Sequence, residues 1–131
     1  RRKLPAPGGG VADAAPAYQA AMATHGPALV KLYGDTFSAG RLDALVFPTV
    51  PQVAPPATPQ ASSVETFLLF IQNTDPGSNA GLPGLQLPAG LGASSRLPVG
   101  LELDGPAGSD RRLMAMGPAL EQVLGRVPPA G

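Results

Sequence analysis

Apolar residues in this chain recur in short runs, and nearly every run is closed by Gly or Pro. The spacing predicts a first helix opened by Asp13, tolerating Pro16 in its first turn and running through Tyr18 and Met22 to about Thr24. Gly26-Pro27 restarts the chain. A second helix follows, with Pro27 at its first position, Leu29, Leu32, Tyr33 and Phe37 near helical spacing, and Gly40 as terminator. Asp43 to Val50 is a continuous apolar run with Pro48 at its exit, the pattern of a short buried strand. The proline-rich residues 51–61 read as loop.

Ser62-Ser63-Val64-Glu65 has the spacing of a capping box, with Ser62 as the cap. The helix it opens carries Val64, Phe67, Leu68 and Ile71 on one face, the stripe such a helix buries, and Asp75-Pro76-Gly77 stops it. Gly84 to Pro88 and Leu97 to Leu103 read as strands joined by a Gly/Ser-rich turn. Ser109 or Asp110 caps a last helix with Leu113, Met116, Gly117, Leu120 and Leu124 on its buried stripe and Pro118 interrupting its hydrogen bonds. The order predicts an α/β fold, a mixed β-sheet covered by helices. Three short strands are few for four helices, so the arrangement is expected to be incomplete on its own, with residues 1–12 as a linker or strap.

Composition sharpens this picture. Gly and Pro each number 17 among 131 residues, yet the chain is 44% hydrophobic and only 14% charged, the reverse of the balance in disordered chains. It is an ordered, turn-rich chain. Nine basic and nine acidic residues cancel, and they form no basic stripe, which argues against nucleic acid or an anionic membrane as a partner. A neutral chain with a mean hydropathy of +0.10 tends to associate. There is no cysteine, so there are no disulfides or thiolate metal sites, in keeping with a cytoplasmic setting. No stretch reaches the roughly 20 apolar residues of a membrane span, and Arg1-Arg2-Lys3 leads into Pro and Gly rather than a signal-peptide core.

Little in the chain can carry catalysis by itself. His25 is the only histidine, sits at a helix junction, and has neither a Gly-x-Ser-x-Gly elbow nor metal-ligating neighbours. The serines of Gly92-Ala93-Ser94-Ser95-Arg96 lie between two strands, where Gly and Ser are ordinary turn residues. The lysines are Lys3, near the terminus, and Lys31, on the polar side of a helix. Gly8-Gly9-Gly10 follows two prolines rather than a strand, and no Lys-Ser/Thr completes a phosphate loop. No catalytic residue, metal site or cofactor site is assigned.

Three segments carry a family resemblance: Asp43-Ala44-Leu45-Val46-Phe47-Pro48-Thr49; Asn73 through Asn79-Ala80-Gly81-Leu82-Pro83 to Pro88-Ala89-Gly90; and Leu97-Pro98-Val99-Gly100-Leu101-Glu102 with Gly108-Ser109-Asp110. In this order and spacing they resemble the C-terminal part of an amidase-signature hydrolase. Ile71 to Asn79 looks most like the indoleacetamide and mandelamide hydrolase branch. The resemblance covers roughly residues 40–127 and departs at Pro118.

The resemblance implies a Ser-cisSer-Lys acyl-enzyme mechanism that turns a small, aryl-substituted carboxamide into carboxylate and ammonia. Its serines and lysine lie outside this chain, which is expected to be inactive alone. The implied partners are the N-terminal catalytic part of the same amidase and the small amide substrate, with a homodimer of the complete enzyme as a further expectation. By the same analogy Phe67, Ile71, Asn73, Thr74 and Asp75 are candidates to shape the substrate pocket. Phe67 and Ile71 lie on the stripe that any amphipathic helix buries, and core packing is the favoured reading for them, while Asn73 and Asp75 also suit turn duty. Two alternatives stay open: a non-catalytic binding or assembly module derived from the family, and the C-terminal part of a subunit of a tRNA-dependent amidotransferase.

Overall fold

The structure, a computed structural model, describes residues 11–125 and residue 127. Its elements are a long helix α1 (Val11–Gly40), strand β1 (Leu45–Pro48), a 3-10 turn (Pro59–Ser62), helices α2 (Val64–Ile71) and α3 (Asp75–Asn79), strands β2 (Gly84–Leu91) and β3 (Pro98–Asp104), and helix α4 (Asp110–Leu124). The α/β class expected from the sequence is what the chain adopts. Of the expected strap, residues 1–10 lie outside the described residues, and Val11 and Ala12 already belong to α1.

The two expected N-terminal helices are one. α1 runs through both Pro16 and Pro27. Pro27 has a helical φ built in, and it is exposed, as is Ala23, whose carbonyl loses its helical partner to the missing N–H. On this exposed stretch an unpaired carbonyl can be solvated at little cost, and the break predicted at Gly26-Pro27 does not form. Only the second half of α1 meets the rest of the chain, through Leu29, Tyr33 and the buried Phe37 at four-residue spacing. Tyr18 is 65% exposed and Met22 56%.

α1 ends in a Schellman motif that does not use Gly40 as its left-handed residue. Leu42 N donates to Phe37 O (2.9 Å) and Arg41 N to Ser38 O (3.3 Å), with Arg41 itself at φ 49°. The same motif closes α3. There Leu82 N donates to Gly77 O (3.0 Å) and Gly81 N to Ser78 O (3.1 Å), with Gly81 at φ 69°. α2 ends at Ile71, and Asp75-Pro76-Gly77, expected as its stop, is itself the start of the short helix α3, which Ala80-Gly81-Leu82 closes.

The sheet has the order β1-β3-β2 and is antiparallel throughout, not mixed as expected, because β3 lies between β1 and β2 and runs opposite to both. β3 is central. Leu45 pairs with Asp104 and Pro48 with Leu101 on one side, and Gly84 pairs with Asp104 and Pro88 with Gly100 on the other. Both edge strands carry a proline, the position in a sheet that tolerates a missing N–H. β2 extends past the predicted Pro88 because a bulge between Pro88 and Gly90 absorbs Ala89 and lets Gly90 and Leu91 keep pairing. The β2–β3 hairpin turns through Gly92-Ala93-Ser94-Ser95-Arg96, with Arg96 N donating to Gly92 O (2.9 Å). The serines of that run are turn residues, as the sequence implies.

α4 covers one face of the sheet. Leu87, Leu103 and Leu113 form the buried centre, with Leu85, Met116, Leu120, Leu124 and Ala44 packed around them. The predicted stripe of α4 is therefore the face that packs. Gly117 lies so close to β2 that an added Cβ would sit 3.3 Å from Leu85 Cδ2. The helix continues through Pro118, which is exposed. Ser109 stands at the N-cap, but its hydroxyl makes no cap bond and is buried beside Gly105. Arg112 pairs with Asp43 at 2.7 Å, joining α4 to the turn before β1.

The core is small for the chain. The molecule presents 9740 Å² of surface, against roughly 6,400 Å² for a compact monomer of its mass. No described helix is long and apolar enough to cross a membrane. A leucine at Gly117 should force α4 off β2 and cost about 2 kcal/mol of stability or more. Urea unfolding of the Gly117→Leu variant measures this as a lowered midpoint with an unchanged slope.

Candidate functional site

α2 is where the sequence and the structure part most clearly. Its N-cap is Ser63, not Ser62: Ser63 Oγ accepts from Thr66 N (3.1 Å), one residue later than the capping-box spacing requires. The 3-10 turn takes up Ser62, and Ser63 N donates to Gln60 O (3.0 Å), which shifts the helix start by one. Glu65 falls in the first turn, where its charge suits the helix dipole without closing a box.

The apolar stripe of α2 is not buried. Val64 is 64% exposed, Phe67 59% and Leu68 51%, and no residue of α2 is buried. The expectation that this face packs within the chain is overturned, because α4 has already taken the covered face of the sheet and, among the described residues, only the 3-10 turn and the loop before it lie against α2. Phe67 and Val64 instead line an open cleft of about 550 Å³ with Pro55, Ala61, Ser62, Thr66 and Phe70. Phe70, three residues beyond Phe67, is a cleft residue that sequence reasoning missed; the i, i+3 spacing of the two phenylalanines was the available signal.

The five candidate pocket residues do not converge on one cavity. Phe67 lines the cleft, and Ile71, Asn73, Thr74 and Asp75 do not. Asn73 Nδ2 donates to Pro48 O (2.8 Å), tying the α2–α3 turn to the end of β1. Thr74 Oγ1 donates to Ile71 O (3.4 Å), and the main-chain carbonyl of Asp75 accepts from Asn79 Nδ2 (2.9 Å). These are bonds that set the turn, and they leave the Asn73 side-chain oxygen and the exposed Asp75 carboxylate uncommitted. His25 is exposed on α1, and Lys31 forms a surface pair with Asp35.

A second polar site lies on the sheet face away from α4, and sequence reasoning did not single it out. Alternation along Leu101-Glu102-Leu103-Asp104 sends the leucines to α4 and the two acids to the opposite face. Glycines make room there. At Gly84 an added Cβ would lie 2.8 Å from Glu102 Oε1 and 3.3 Å from Asp104 Oδ1, and at Gly77 it would collide with Asp104 Oδ2. Asp104 is only 6% exposed. Burial, then the neighbouring Glu102 charge, pushes its carboxyl above the usual aspartate range. Tyr33 of α1 looks onto the same spot, and burial and the Asp104 charge raise its phenol as well. No group of three or more potential metal ligands occurs among the described residues.

With the fold and these sites in view, comparison with known proteins is direct. A model of the amidase family matches residues 6–114, and the chain belongs to that family. It is similar to the mandelamide hydrolase of Pseudomonas putida, 44% identical over 88% of this chain and 23% of that protein. The indoleacetamide hydrolase of Agrobacterium vitis is 49% identical over 82% of this chain and 24% of its own length. One subunit of the glutamyl-tRNA(Gln) amidotransferase of Paenarthrobacter aurescens is 38% identical over 64% of this chain and 16% of its own length. The chain spans about a quarter of the length of the curated hydrolases it matches.

Removing the Asn73 amide should cost about 1 kcal/mol by freeing Pro48 O. Thermal unfolding of Asn73→Ala should show that loss, and Asn73→Asp, which has no side-chain N–H to donate, should show a similar one.

Proposed function

We propose that this chain is the C-terminal part of an amidase that hydrolyses a small, aryl-substituted carboxamide. In this reading the remainder of the polypeptide supplies the chemistry, and this chain supplies part of the sheet, its covering helix and one wall of the pocket. The acylating serine adds to the amide carbonyl, its serine-lysine relay hands a proton to the departing nitrogen, and ammonia leaves. Water then cleaves the acyl-enzyme to the carboxylate. Backbone N–H groups around the carbonyl oxygen would stabilise the tetrahedral stage.

The observation that carries the reading is the bare apolar face of α2. Phe67 and Phe70 border a cleft, and an exposed apolar patch with aromatic edges is what an aryl group or a packed partner occupies. Relatives named for mandelamide and indoleacetamide, both aryl amides, agree with that character. The excess surface of the chain supports a larger partner. The amidotransferase reading rests on lower identity over less of the chain.

The intact mass of the purified active enzyme should exceed this chain's several-fold. In that enzyme, Phe67→Ala should raise KM for mandelamide or indoleacetamide about tenfold, the loss of roughly 1.4 kcal/mol of aromatic contact, and leave kcat within a factor of a few. Hydrolysis by the 131-residue chain alone would overturn the division of labour. An unchanged KM in the variant would remove Phe67 from the pocket wall.

A further inference from the structure

Glu102 and Asp104 present two carboxylates to one spot with no cation among the described residues to receive them. They lie on the same face of β3, and an oxygen of each comes within 3.3 Å of where a Cβ would stand at Gly84. Asp104 is buried, and its carboxylate has no hydrogen-bond or ion-pair partner among the described residues. The groups that face it are the Tyr33 phenol from α1, Gly77 from α3, Gly84 from β2 and Glu102 from its own strand. The described ion pairs, Lys31–Asp35 and Arg112–Asp43, lie elsewhere.

A second orphan sits one step along the same face. Thr49 Oγ1 is buried without a partner and lies 2.8 Å from where a Cβ would stand at Gly100. Buried polar groups are nearly always satisfied, and an unpaired buried carboxylate is strongly unfavourable. The face therefore calls for a group that the described residues do not supply. The space at Gly77 and Gly84 is taken by the carboxylate oxygens themselves, so two converging carboxylates call for a cation with several donors that arrives from the side of the half-buried Glu102.

We propose that Glu102 and Asp104 form an anionic socket for a basic side chain, an arginine, presented by the part of the amidase polypeptide outside this chain. The proposal rests on the reading that such a remainder packs here. The socket locks the remainder onto the sheet face opposite α4 and fixes how the α2 wall meets it. Arginine fits better than lysine because its planar fork can bond two carboxylates at once.

The test compares Asp104→Asn, Asp104→Leu and Glu102→Gln in the complete amidase by thermal unfolding from pH 4 to 8. A paired Asp104 has its pKa held down by the cation, so its stabilisation is present at neutral pH and lost as pH falls. Each variant should then lower the midpoint at pH 7 by about 4 °C and flatten that acid-side loss. Scanning the remainder with Arg→Met and Lys→Met should find one position after which Asp104→Asn costs nothing more.

An unpaired Asp104 behaves in the opposite way, since its raised pKa makes stability fall as pH rises through the acid range. A higher midpoint for Asp104→Leu at pH 7 would therefore overturn the socket. So would coupling to Arg1, Arg2, Lys3 or Arg126, coupling only to a second copy of the chain, or loss of the effect on adding a chelator. If the Asp104 variants do not fold, Glu102→Gln alone carries the sign of the pH 7 shift. Failure of the larger reading is distinguishable, because it appears in the mass and activity of the enzyme before any variant is made.

Discussion

The period of two along β3 is the constraint on which the other elements depend. With β1 and β2 paired on either side, β3 has no free edge, and its side chains can only alternate between two faces. Leu103, 1% exposed, fixes one face as the seat for Leu113 and the rest of α4. That leaves Gly100, Glu102 and Asp104 on the other, where Gly77 of α3 and Tyr33 of α1 close over Asp104. A one-residue slip of β3 would exchange the two faces, placing the acids against α4 and the leucines in the open. The apolar core and the carboxylate pair are one decision made once.

The same arrangement explains why α2 is bare. A three-stranded sheet offers two faces, and the apolar one is fully occupied by a single helix. An eight-residue helix with Val64, Phe67 and Leu68 outward does not reach that core, and none of its residues is buried. Its position is set from below by polar bonds: the Ser63 cap and Gln60 carbonyl at one end, the Asn73 bond to Pro48 at the other. A helix held by its ends, with its apolar side free, suits the lining of a cavity better than the filling of a core.

Much of this was legible in the residues. The α4 stripe, the β2–β3 hairpin and the strand ending in Pro48-Thr49 follow from periodicity and turn chemistry, and the ordered motifs placed the chain in its family. What was not legible has physical causes. The join at Gly26-Pro27 depends on whether an orphaned carbonyl faces water, a matter of tertiary surroundings rather than of proline itself. The N-cap moved from Ser62 to Ser63 because a neighbouring 3-10 turn used the first serine. Phe67 and Ile71 were rightly read as a stripe, but a stripe in the sequence does not say what covers it. The roles of Asn73, Thr74 and Asp75 turn on a bond across 25 residues, to Pro48, that no local spacing encodes. Glu102 and Asp104 passed as ordinary outward positions of a strand, because burial of the far face comes from α3 and α1.

The prolines of the two outer strands have a consequence for how copies of this chain behave toward one another. β1 offers only Leu45–Phe47 before Pro48 ends its ladder, and β2 is interrupted midway by Pro88 and the bulge at Ala89. An exposed strand is otherwise a template on which a neighbouring chain can add itself, the first step toward fibrils. Here each edge is too short or too bent to be copied. The proline content that at first suggests looseness thus acts as protection: the sheet is kept from adding copies of itself at its edges.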